Sequence, residues 1–137
     1  RYEIALENYC KVIHIEALTA LNMLKTDILP AVSAYGKEVA DVLYSKESYK
    51  MSAKYENALL KKLTKGTDAL YDATIVLDEA VSKVESMTDY SEISFFCKDV
   101  LIPAMEKARS IADSLETVVP TEKWPYPSYG DILFSVK

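Results

Sequence analysis

Apolar side chains recur along residues 13–35 in steps of three and four: Ile13, Ala17, Ala20, Leu24, Ile28, Val32 and Tyr35. That spacing predicts a helix with an apolar stripe. A second line, Ile15, Leu18 and Leu21, widens the stripe, so the helix is expected to touch two neighbours. Pro30 stands inside the pattern. It has no N–H for the carbonyl of Thr26, and its ring crowds that carbonyl, which costs roughly 3 kcal/mol in a helix interior and bends the axis. A new helix starting at Pro30 would have Leu29 as its N-cap, a poor capping residue, and the periodicity runs through without a phase break. The pattern therefore reads as a kink within one helix.

The device returns later in the chain. Lys25-Thr26-Asp27-Ile28-Leu29-Pro30-Ala31-Val32 is echoed by Lys98-Asp99-Val100-Leu101-Ile102-Pro103-Ala104-Met105, which points to two kinked helices packed side by side. Taken in order, the first helix covers about 2–44. Gly36 is a plausible C-cap inside it, yet Val39, Val42 and Leu43 continue the stripe, so one bent helix and two helices both fit. The polar run from Ser45 to Ser52 is the first turn. A second helix over about 52–86 carries Leu59, Leu63, Leu70, Leu77, Val81 and Val84. Gly66 within it costs about 1 kcal/mol against alanine and is expected to let another backbone come close. Asp89 with Glu92 makes a variant capping box for a third helix over about 91–119, which Pro120 stops. The expectation is an all-α domain spanning 1–137. It is an antiparallel up-down bundle of three helices, or four if the first breaks, with proline-kinked helices.

Residues 120–137 form a tail of another character. Trp124-Pro125-Tyr126-Pro127 is stiff and aromatic, with a turn at Gly130-Asp131 before Ile132-Leu133-Phe134. Trp124, Tyr126, Tyr129 and Phe134 are large apolar payloads that need a surface. They either fold back over one end of the bundle or dock on a neighbouring domain or subunit, and they are the candidate interface residues.

Composition narrows the function. Half of the 137 residues are apolar, enough for a core. The net charge of −5 argues against nucleic acid and anionic membranes as partners. The chain starts at Arg1 in a helical pattern, with no signal peptide and no bilayer-length apolar run, which suggests a segment of a larger protein. Cys10 and Cys97 are not part of a CxxC pair and read as buried free thiols of a reducing compartment. An up-down-up order would bring them near each other.

The search for chemistry returns little. The only histidine, His14, has no Glu three residues before it, which excludes a di-iron bundle site, and one His with two lone Cys does not make a zinc site. Cys10 and His14 share a helix face without an orienting third group. Gly36-Lys37 lacks the rest of a phosphate loop. No catalytic, cofactor-binding or metal-ligating residue is assigned. Lys54, Lys61, Lys62 and Lys65 line one helix, and Asp99, Glu106 and Asp113 another; the two lines either face each other or are each solvated. Ten tyrosines exceed what a core needs and favour an interaction surface.

The run RYEIALENYCKVIHIEALTALNMLKTDILPAV, then KDVLIPAMEKARSIADSLE, then WPYPSYGDILF resemble, in that family's order, the C-terminal helical region of type III glutamine synthetase. The similarity is weakest between Tyr35 and Tyr55. The resemblance implies a parent enzyme that makes glutamine from glutamate, ammonia and ATP with Mg, as a cytoplasmic double-ring homo-oligomer. Its catalytic motifs lie upstream, and none is present here. The resemblance thus implies a non-catalytic accessory domain that binds neither ATP nor metal. Its partners would be the catalytic domain and neighbouring subunits. The alternatives are an independent helical interaction module and a regulatory domain that senses a small molecule between its helices.

Overall fold

Three long helical runs carry the computed structural model, which describes residues 2–127, and no strand occurs among them. The first run is α1 (Tyr2–Met23), a π-helical turn (Leu24–Ile28) and α2 (Leu29–Ser48). The second is the single helix α3 (Lys54–Glu85). The third is α4 (Tyr90–Phe96), a π-helical turn (Cys97–Leu101) and α5 (Ile102–Glu116), followed by a short 3-10 turn at Thr121–Lys123.

The repeated sequence device has a common structural counterpart. In each copy the five residues before the Leu-Pro or Ile-Pro step form the π turn, with Leu29 N–H donating to the Leu24 carbonyl and Ile102 N–H to the Cys97 carbonyl. Prolines 30 and 103 bring no N–H to the ladder, and the widened turn places the missing donor where the register has already changed. Thr26 adds to the first copy by donating its hydroxyl to the Asn22 carbonyl at 2.7 Å. Backbone angles stay helical across the junction, so Pro30 does not open a separate helix.

The first run also passes through Gly36 unbroken. A Cβ there would meet no atom within 4 Å, so nothing in the packing requires the glycine. Gly66 differs. A Cβ on it would stand 2.5 Å from Leu115 Cδ2, so the close neighbour is a side chain of α5 rather than the backbone the sequence suggested.

The helix ends follow local chemistry. Residues Ser45–Ser48, expected in the turn, extend α2, and their polar side chains lie mostly on its solvent side. The helix then closes with paired bonds, Lys50 N–H to the Glu47 carbonyl and Met51 N–H to the Lys46 carbonyl. This is a Schellman motif, and its left-handed position is occupied by Lys50 at φ 58°. At the start of α4 the Asp89 carboxylate accepts from Glu92 N–H at 3.3 Å, one half of the anticipated capping box.

The core runs along the inner face of α3, where Leu63, Leu70 and Leu77 are fully buried at heptad spacing. Each such leucine contributes about 1.5–3 kcal/mol through removal from water. Val32 from α2 and Cys97 and Leu101 from the second π turn are buried in the same cluster. Ion pairs show how the first two runs pass one another: His14 meets Glu85, Lys25 meets Asp78 and Lys46 meets Glu56.

Candidate interaction surfaces

The tail residues that the structure describes return to the bundle. Pro120 leaves helical space (ψ 143°), and after the 3-10 turn Trp124 is extended (φ −75°, ψ 132°). Lys123 Nζ then reaches Glu38 Oε1 at 3.1 Å, and the Tyr126 hydroxyl donates to an Asp27 carboxylate oxygen. Trp124 and Tyr126 are half-buried against the core. Burial in the first place, and then the bond to Asp27 and its negative charge, push the Tyr126 phenol up to about 12. Two of the four candidate interface residues thus lie against the first and third runs. Tyr129 and Phe134 lie outside the described residues.

Between this strap and the helices is an apolar recess of about 260 Å³, walled by Met23, Leu24, Ile28, Met105, Trp124 and Tyr126 among others, with Arg109, Asp113 and Glu116 at its rim. The volume is somewhat below the roughly 300–1,000 Å³ of ordinary small-molecule sites.

The other candidates do not converge. Cys10 is buried with its thiol 3.8 Å from the Tyr90 carbonyl, while His14 Nε2 pairs with Glu85 at 2.9 Å, so thiol and imidazole serve different partners. Cys10 and Cys97 are both free. Burial, followed by the neighbouring charge of Cys10, raises the Cys97 thiol above its ordinary value, which disfavours the reactive thiolate. Among the described residues, no three or more His, Cys, Asp and Glu side chains are arranged to hold a metal ion. Among them, too, no helix is long and apolar enough to cross a membrane.

The basic line Lys54, Lys61, Lys62 and Lys65 and the acidic line Asp99, Glu106 and Asp113 are exposed on α3 and on the third run. No ion pair joins them among the described residues. Surface tyrosines gather instead at the α2–α3 turn, where Tyr44, Tyr49 and Tyr55 accompany the exposed Met51. Glu56 nearby holds Lys46 at 2.8 Å with one carboxylate oxygen, and its other oxygen has no partner. The bond from Lys46, and after it a backbone bond, lower the Glu56 carboxyl below its usual range.

One apolar line has no cover. Ile15 and Leu18, expected to widen the buried stripe of α1, are exposed, and only Leu21 of that trio reaches the core. Leu21 lies beside Cys10 and Ala17 on the inner face of α1, whereas Ile15 projects from the far side and Leu18, three residues before Leu21, sits on the flank.

Comparison with known proteins returns glutamine synthetases. The family model described as glutamine synthetase C-terminal domain matches residues 1–47. A glutamine synthetase of Butyrivibrio fibrisolvens is 34% identical over 139 residues, covering 100% of this chain and 20% of that protein. A type-3 glutamine synthetase of Dictyostelium discoideum is 29% identical over 98% of this chain and 19% of its own length. A third, from Bacteroides fragilis, is 24% identical over 98% of the chain and 19% of its own length. The chain spans about a fifth of the length of these curated relatives. No solved structure matches it. The chain is thus similar over residues 1–47 to the C-terminal domain of glutamine synthetases and along its whole length to glutamine synthetases, a type-3 enzyme among them.

Proposed function

We propose that this domain is a non-catalytic accessory part of a type III glutamine synthetase, an ATP-dependent glutamate–ammonia ligase, and that it braces the catalytic domain or shapes contacts between subunits. The carrying observation is the pairing of whole-length similarity to glutamine synthetases with a helical unit whose charged groups are dispersed over outer faces. A ligase that moves a phosphoryl group needs converging cation ligands and phosphate-binding donors. In this reading ATP and Mg bind elsewhere in the parent chain. The whole of 1–137 is one domain, an antiparallel up-down bundle whose first and third helices bend at the two proline sites. Its partners are the catalytic domain of the same chain and neighbouring subunits of a cytoplasmic homo-oligomer.

Deleting the segment from the parent enzyme and assaying glutamine formation tests this. A large fall in activity, reversed when the domain is supplied on the same polypeptide, is the expected result. Unchanged activity, assembly and stability would remove the accessory role and leave an independent interaction or regulatory module in its place.

A further inference from the structure

Helix α1 carries apolar side chains outside its buried face. Cys10, Ala17 and Leu21 are buried on the inner face, while Ile4, Val12 and Ile15 on the outer face and Leu18 at its flank stand 65, 53, 62 and 40% exposed. Neighbouring exposed apolar side chains of this kind mark a surface that a partner covers. Within the described residues the outer face has no cover.

We propose that this outer stripe docks on the catalytic region of the parent polypeptide, which makes α1 the wall between the two parts. The inference rests on the accessory-domain reading and names the surface through which it acts. Size selects the occupant. From Ile4 to Leu18 the stripe runs about 21 Å at 1.5 Å per residue, and with a helix about 10 Å wide its footprint is on the order of 200 Å². A free-standing interface buries about 800 Å² on each partner. Two copies of this chain meeting stripe to stripe therefore fall well short of a stable dimer. A tethered partner needs much less, because linkage on one chain supplies an effective concentration of order millimolar. The relatives carry about four-fifths of their length beyond the region matched here, which is where a tethered partner is found. Lys11, paired with Glu7 at 2.8 Å, stands between Ile4 and Ile15 within the stripe, so the surface it fits is apolar with a polar group to meet the ammonium.

The test uses the full-length parent enzyme carrying Ile15→Cys, with Leu18→Cys as a second variant. Iodoacetamide labelling at the introduced cysteine is followed by mass spectrometry in the native enzyme and in the urea-unfolded chain. The expected result is labelling about tenfold or more slower in the native enzyme at both positions. Native rates within about threefold of the unfolded rate would overturn the docking. Protection that disappears when the enzyme is diluted would assign the stripe to a second copy and overturn the tethered occupant. The two readings fail separately. Fast labelling in an enzyme that still needs the domain sinks the docking alone, whereas slow labelling in an enzyme indifferent to deletion sinks the accessory role alone.

Discussion

The Tyr126 hydroxyl donates to the Asp27 carboxylate, so the tail is fastened to the π turn that precedes Pro30. The bond joins residues 99 positions apart and holds Trp124 over the recess between the first and third runs. Tyr126→Phe keeps the ring and removes the donor. The expected loss is about 1.5–3 kcal/mol of tail docking, the range for a hydrogen bond to a charged group. The single tryptophan, Trp124, reports it directly. Its emission should shift to longer wavelength in the variant at denaturant concentrations that leave the helical signal unchanged. Coincident loss of both signals in variant and wild type would show that the bond does not hold the tail.

The same contact carries a pH dependence. The phenol of Tyr126 ionises near 12 in the folded protein, against an ordinary value of 10. A pKa raised by folding contributes stability that is complete below the unfolded value and disappears as pH climbs to the folded one. The strap should therefore be intact below pH 10 and open between 10 and 12. Trp124 emission followed across that range should show the transition in wild type and a flattened one in Tyr126→Phe.

The two helical glycines make opposite predictions. At Gly36 an added methyl meets nothing within 4 Å, so Gly36→Ala should stabilise by about 0.5–1 kcal/mol through helix propensity. At Gly66 the same methyl lands 2.5 Å from Leu115 Cδ2, a buried side chain. Overpacking of this kind costs typically about 1–3 kcal/mol, more than the propensity gain. Urea midpoints should rise for the first variant and fall for the second.

Lys50 is the one described non-glycine residue with a positive φ, and it occupies the Schellman position after α2. Glycine has no Cβ to strain there. Lys50→Gly should raise stability by up to about 1 kcal/mol, read as a higher melting temperature with an unchanged helical spectrum.

Much of the helical layout was legible because burial follows a 3.6-residue period. Leu63, Leu70 and Leu77 declared the inner face of α3, and the Asp89 cap is a local rule that packing had no reason to override. The third run, expected to reach about 119, already ends at Glu116, ahead of Pro120. The matched motifs around the two prolines were visible as text. That both would take a π turn was not, because hydrogen-bond register depends on what the neighbouring helices accept. Gly66 shows a similar limit: sequence marks a missing side chain without saying what fills its space. Ile15 and Leu18 misled because periodicity tells how many apolar residues a helix carries and not which of them this domain covers. The surfaces were less legible than the core. Trp124 and Tyr126 announced that they needed a partner, and only coordinates could say that the partner includes the π turn around Asp27. The family relationship came from sequence motifs in order, since a fold of packed helices serves many functions.

The most direct test of the accessory-domain account is the particle mass of the parent enzyme truncated before Arg1, measured by light scattering beside the full-length enzyme. The account predicts a fall to smaller species or unassembled subunits together with reduced glutamine formation. Particles of full size that keep full activity and full thermal stability would contradict it.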